Sequence, residues 1–280
     1  MQPTDVNESN LTIFRGRCGD RNDRAMAGAY MLGQALARQT GSTPVEIGRP
    51  EPHLGVGWEE ELSAALPALR LLSQRIEDVL GRKERPLTVL GRCAAGLATI
   101  PVIARHRPDA LIVWFDAHAD SNTPEHSTTN YLGGMVLSGA AGLWQTGLGD
   151  DLDLRNVVLV GSRDIDPSEQ ALIDTGIVRV VPPGERLAER LREAVAGRPV
   201  YIHLDCDVMS AGLLPTEFQV ENGLDFDDLR RAAEILAAEE VLGIEIAEFE
   251  GEWPDGRTAA SPAELLSALE PLTKAVNRAD

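Results

Sequence analysis

Basic residues are scarce in this chain. Twenty-six Lys and Arg stand against 44 Asp and Glu, a formal net charge of −18. Such an excess argues against nucleic acid or an anionic membrane as a partner. Long apolar runs are missing too, and no stretch reaches the roughly 18 residues a membrane span requires. The three cysteines (Cys18, Cys93, Cys206) are too few for a disulfide framework, which makes a reducing cytoplasm the simplest placement. The opening MQPTDVNESN lacks both the basic start and the apolar core of a signal peptide. What is left is an ordinary globular composition, 43% hydrophobic and 25% charged over 280 residues. That length suits one large α/β domain or two small ones.

Strand and helix patterns alternate from end to end. Short runs rich in β-branched residues predict strands at 11–14, 45–47, 86–90, 111–115, 156–160, 177–181, 200–204 and 241–246. Helical spacing predicts helices at about 22–38, 58–80 (one or two, with Pro67 as a break), 94–106, 167–175, 185–196, 226–238 and 262–276. The small-residue stretch 133–143 is a helix or a loop. Alternation of this kind implies right-handed βαβ units, hence a mainly parallel sheet with helices on both faces. No linker, repeat or low-complexity block interrupts it, so a single domain over 1–280 is expected. Ligands of open parallel sheets bind beyond the carboxyl ends of the strands.

The strand ends carry the chemistry. The apolar run Leu111 to Phe115 breaks into Asp116, His118 and Asp120, separated by two alanines. In extended backbone these three side chains point the same way. Two carboxylates and an imidazole at such a place suit a divalent metal; the plainer alternative is a polar loop. The strand 200–204 ends in Asp205 and Asp207. Two aspartates forced into one pocket repel each other unless cations lie between them. Cys93 follows the strand 86–90 and is either a ligand or a small buried hydrophobe. Glu245 and Glu248, in IEIAEFEGEW, belong either to an exposed acidic loop or to a buried carboxylate facing a cationic substrate. In GSRDIDPSE, Asp164 or Asp166 caps the helix beginning near Pro167 or faces the same pocket.

Taken together, DAHAD (116–120), HLDCD (203–207), GSRDIDPSE (161–169) and IEIAE (244–248) resemble the signature blocks of the arginase and agmatinase family, the ureohydrolases. Order and spacing match over roughly residues 85 to 250. The resemblance implies a three-layer α/β/α sandwich and two Mn²⁺ ions per chain. Asp116 and Asp205 would bridge the metals, Asp120 would complete one, and His118 and Asp207 would serve the other. A metal-bridging hydroxide would attack the guanidinium carbon. Asp120 and Glu248 are then the catalytic carboxylates, with Glu248 also holding the guanidinium. Asn122, Thr129 and Asp166 match the arginase positions that hold an amino-acid head. The partner so implied is a small guanidino amino acid, and a homo-oligomer is compatible with the family.

Two departures stand out. The family's first metal ligand is a His, and its position is Cys93 here. A thiolate is softer than imidazole, so one metal is expected to be weakly held, with zinc or cobalt competing. The family's proton-shuttling His falls at Gly133, while His126 is out of register and expected to be exposed. Loss of the shuttle makes water deprotonation and amine departure harder. The change at Cys93 together with YLGGMVLSG resembles the family branch acting on Nω-hydroxy-L-arginine, which releases hydroxyurea and L-ornithine. The alternatives are hydrolysis of L-arginine or another guanidino acid, a non-catalytic ligand-binding relative, and, more weakly, a mononuclear deacylase.

Overall fold

The computed structural model describes residues 9–257 and 261–278. Residues 1–8, which begin the segment read as lacking a signal peptide, lie outside the described residues. Eight strands form one sheet: β1 (Leu11–Phe14), β2 (Val45–Ile47), β3 (Leu87–Val89), β4 (Leu111–Phe115), β5 (Val157–Val160), β6 (Arg179–Val181), β7 (Val200–Asp205) and β8 (Val241–Ala247). Their order is β2-β1-β3-β8-β7-β4-β5-β6, and every pairing is parallel. The expected mainly parallel sheet is thus wholly parallel. The chain leaves β3, passes over two strand positions to lay down β4, and returns later to fill the gap with β7 and β8. The carboxyl ends of β3, β8, β7 and β4 therefore stand side by side at the middle of the sheet, where such folds bind ligands.

Nine helices complete the two outer layers among the described residues: α1 (Arg24–Thr40), α2 (Trp58–Gly81), α3 (Gly96–His106), α4 (Val136–Ala140), α5 (Pro167–Asp174), α6 (Leu187–Val195), α7 (Phe226–Leu236), α8 (Ala263–Ala268) and α9 (Glu270–Val276). α1 and α6 to α9 cover one face, packing on Val113, Phe115, Ile202 and Ile244. α2 to α5 cover the other, packing on Ile112, Trp114, Leu159 and Tyr201. Central strands β4, β7 and β8 are buried along their whole length. This explains the unbroken apolar run of β4, and why β7 and β8 are interrupted inside only by His203 and Glu245, because a strand covered on both faces has no solvent side to alternate with.

Two sequence expectations need correction, and a third, left open as helix or loop, is resolved. Pro67 does not break α2, which is continuous. The proline is exposed on the outer side, while Leu62, Ala65, Leu69, Leu72, Ile76 and Val79 keep an unbroken buried stripe. Burial of that stripe outweighs the roughly 3 kcal/mol an interior proline costs. The closing helix is two helices, α8 and α9, with Pro271 in the first turn of the second. In one continuous helix the Pro271 ring would meet the Ser267 carbonyl. The stretch after Leu132 is a 3-10 turn (Gly133–Met135) leading into the short α4. No helix among the described residues is long and apolar enough to cross a membrane.

Candidate metal centre

Asp116 leaves the end of β4 fully buried. Its Oδ1 accepts a hydrogen bond from the His118 backbone N at 2.7 Å, and its Oδ2 accepts from the Trp114 indole at 3.0 Å. The segment after β4 is not extended. It bends at Ala117 and His118, and Asp120 takes a left-handed φ of 45°. Convergence of Asp116, His118 and Asp120 therefore comes from a folded-back turn rather than from strand alternation. His118 Nδ1 lies 3.2 Å from both Asp116 Oδ1 and Asp207 Oδ2. Asp207 is anchored in turn by the Ala117 N–H, 3.0 Å from its Oδ1. These three side chains make one corner of the site, with the imidazole about a quarter exposed (25%).

The opposite corner is fully buried. Cys93 opens the turn after β3, and its Sγ lies 3.0 Å from Asp205 Oδ2 and 3.0 Å from His203 Nε2. His203 stacks flat on Trp114, with ring centroids 3.5 Å apart. Its Nδ1 faces Glu245 Oε1 at 2.6 Å, and Glu245 also accepts from the Tyr201 hydroxyl at 2.8 Å. His203 and Glu245 are directly paired across β7 and β8, so strand register itself builds this support. Ligand-type atoms of Cys93, Asp116 and Asp120 fall within 4.8 Å of one another, as do those of Asp116, His118 and Asp207, and of Cys93, Asp205 and Glu248. Asp116 is common to the first two groups and Cys93 to the first and third.

Electrostatics point the same way. Burial, then repulsion from neighbouring carboxylates, pushes Asp120, Asp205 and Asp207 above the usual carboxylate range. Burial acts on Asp116 as well, but the hydrogen bond and charge of His118 outweigh it and hold Asp116 low. His118 is pushed far upward by Asp116 and Asp207 against its own desolvation. Burial, then Asp205, raises the Cys93 thiol. What such a cluster lacks is positive charge, and its oxygen, nitrogen and sulfur donors fit two divalent ions.

The Glu248 end of the site holds a surprise for the sequence reading. Glu248 is buried, in a left-handed φ of 64°, a conformation that non-glycine residues adopt only under constraint. Its Oε1 accepts from the Cys93 N–H at 2.8 Å, and its Oε2 lies 2.7 Å from the guanidinium of Arg92. Arg92 is itself fully buried and also meets Asp20 at 3.0 Å, Glu217 at 2.8 Å and Glu250 at 3.2 Å. Burial pushes Glu248 up to about 7, against the lowering pull of Arg92. Glu248 and Glu250 therefore belong to an interior network, and only Glu252 of the acidic run is exposed. Helix α1 seals it from outside: a side chain at Gly28 would collide with the Phe249 carbonyl, so only glycine admits this approach.

A cavity of about 170 Å³ connects the two ends. Its wall includes Cys93, His118, Asp120, Asp205, Asp207 and Glu248 at the floor, and Asn122, Thr129 and Asp166 nearer the mouth. Asn122 Nδ2 donates to Asp166 Oδ2 at 2.7 Å, and the Ser168 hydroxyl donates to Asn122 Oδ1 at 2.6 Å. Thr129 is exposed at the rim. Asp166 both begins α5 and lines the cavity, so the two alternatives for it coexist. His126 is exposed, with Nδ1 2.8 Å from the Thr123 hydroxyl, and is absent from the wall, whereas Gly133 is part of it.

Four residues escaped the sequence reading. Glu169 accepts from the Ser121 and Asp166 N–H groups at 2.9 and 3.0 Å, tying the two mouth loops together. His203 and Tyr131 stand in the quoted blocks HLDCD and YLGGMVLSG, and Arg92 precedes Cys93, but none of the three was given a role. His203 had a signal, because it precedes Asp205 by two on a strand and so shares its face.

Comparison with known proteins closes the question of kinship. The arginase family model matches residues 24–269. The chain belongs to the arginase family. It is 40% identical over 266 residues to the N(omega)-hydroxy-L-arginine amidinohydrolase of Streptomyces lavendulae, covering 94% of this chain and 96% of that one. Arginase from Bacillus caldovelox superposes with a TM-score of 0.80 at 21% identity, covering 97% and 99% of the two chains. Entamoeba histolytica arginase, solved with L-ornithine, gives 0.78 at 20%, covering 94% and 97%. As a member of the arginase family the protein is a hydrolase of linear amidines, in a fold built around a pair of metal ions.

Proposed function

We propose that this enzyme hydrolyses Nω-hydroxy-L-arginine to L-ornithine and hydroxyurea at a two-manganese centre. The observation that carries the choice of substrate is the Arg92–Glu248 pair. The guanidinium of L-arginine keeps its charge at any ordinary pH. In this cavity it would approach a carboxylate already paired with a buried, fixed guanidinium. N-hydroxylation draws electrons from the group and lowers its basicity, so a neutral hydroxyguanidine escapes that repulsion. The activity for which the Streptomyces lavendulae relative is named supports the same choice.

In this reading Asp116, Asp205, His118 and Asp207 would hold one metal, and Asp116, Asp205, Cys93 and Asp120 would hold the other. When bound, the metals supply Lewis acidity and a water of lowered pKa. Glu248, its backbone fixed and one oxygen tied to the Cys93 N–H, orients the guanidine nitrogens. Asn122, Thr129 and Asp166 receive the amino-acid head, held in place by Glu169. Addition of water to the guanidine carbon breaks its bond to the δ-nitrogen of ornithine. Asp120, on the cavity wall, takes the proton of that water and returns it to the departing nitrogen.

The test is a product assay. Protein reconstituted with Mn²⁺ receives Nω-hydroxy-L-arginine and L-arginine separately, and ornithine is followed. Fast release from the hydroxylated substrate alone is expected. Comparable release from both would make it a plain arginase, and release from neither would refute the reading.

A further inference from the structure

Among the described residues lining the cavity, Tyr131 alone carries a buried side-chain polar atom without a hydrogen-bond partner. The Tyr131 ring is firmly placed. Arg21 lies over its face at 4.5 Å from the centroid, Phe218 packs edge-on at 5.8 Å, and the Tyr131 N–H donates to the Thr129 hydroxyl. The phenol occupies space that a side chain at Gly133 would need: a Cβ there would lie 2.5 Å from Tyr131 Cε1 and 3.1 Å from the hydroxyl oxygen. Glycine at 133 and tyrosine at 131 are thus two halves of one arrangement. It carries a hydroxyl into a wall where the family resemblance places an imidazole.

The hydroxyl lies beside Gly133 on the wall of the cavity that Cys93 and Glu248 also line. The charges acting on it include those of Glu248, Arg92, Glu217 and Cys93. Desolvation, reinforced by Glu248, keeps the phenol protonated and therefore a donor. A buried hydroxyl left unpaired costs about 1–3 kcal/mol. A ligand that brings a partner recovers this, and one that lacks the partner leaves it unpaired.

We infer that the Tyr131 hydroxyl is the hydrogen-bond partner of the Nω-hydroxyl of the substrate, which makes Tyr131 a specificity-determining residue for hydroxyguanidines over guanidines. This rests on the substrate reading given above.

Tyr131→Phe tests it, in the Mn²⁺-reconstituted full chain. kcat/KM for Nω-hydroxy-L-arginine is expected to fall about 10-fold or more, with the binding affinity for L-arginine unchanged. The melting temperature should not fall, because the deleted hydroxyl holds nothing in the free protein. In parallel, calorimetric binding of N-hydroxyguanidine should weaken about 10-fold relative to that of guanidine. Equal losses on both ligands, or none on either, overturn the assignment. If the parent enzyme releases no ornithine from the hydroxylated substrate but the binding difference is present, the substrate reading fails and the Tyr131 contact stands. If turnover is present and the discrimination survives the substitution, the reverse holds.

Discussion

The two corners of the metal centre are built from different materials. Around His118 the site is a carboxylate–imidazole set, partly open to solvent, with each aspartate braced by a backbone N–H. Around Cys93 it is dry, and the donor is a thiol with a second imidazole, His203, and Glu245 stacked behind it. Both donors must lose a proton to take up a metal: His118, which Asp116 and Asp207 hold protonated, becomes a neutral imidazole, whereas the buried Cys93 thiol becomes an anion. The difference teaches that the two corners are unequal donors: the first offers an imidazole partly open to solvent, and the second a softer sulfur whose new negative charge opposes the field of Asp205 and Glu248.

The comparison breaks most completely at the residue both corners share. Asp116→Asn should abolish binding of both ions and lower ornithine release by at least about 10³-fold, read by metal analysis and the product assay. Two ions per chain in that variant would show that Asp116 is not common to them. The Arg92 network is the next test, since it sets the charge behind the Cys93 corner. Arg92→Met leaves Asp20, Glu217, Glu248 and Glu250 without their shared cation and should destabilise the fold by about 3–5 kcal/mol, measured by denaturant unfolding. A change below about 1 kcal/mol would mean those carboxylates are protonated already.

Acidity sharpens the contrast further. Burial raises Glu248 from 4.5 to about 7, and moves Asp120, Asp205 and Asp207 in the same direction. A carboxyl raised in the folded state contributes stability that is complete below its unfolded pKa and is lost as pH rises through the folded one. Metal-free protein should therefore melt at progressively lower temperature as pH rises from the ordinary carboxylate range through about 7, the Glu248 value. Mn²⁺ should flatten that slope, because the cations favour the ionised carboxylates. A metal-free melting temperature that climbs with pH would contradict the assigned shifts.

Most of the fold was legible in the sequence because β4, β7 and β8 announce themselves as largely apolar runs, and a parallel sheet follows from their alternation with helices. Pro67 and Pro271 misled in opposite ways. Each is locally a helix breaker, and only packing decides, by keeping the stripe of α2 continuous and letting α8 and α9 part. The aspartates were legible because they sit two apart at strand ends. Arg92 was not, because its four carboxylate partners come from three separate segments, around Asp20, Glu217 and Glu248–Glu250, and no spacing links them to it. The His203–Glu245 pair was hidden for the same reason: it exists only once β7 lies beside β8 in the observed register. Tyr131 was read as part of a departure from pattern, and its meaning came from the space above Gly133.

The inequality of the corners is tested most directly by titrating metal-free protein with Mn²⁺ calorimetrically, in the parent chain and in Cys93→His. Two sites are expected in the parent, the weaker about 10-fold or more below the stronger. In Cys93→His the weaker site alone should tighten. Two equal sites in the parent, or an unchanged weaker site in the variant, would contradict the account and remove Cys93 from the metal centre.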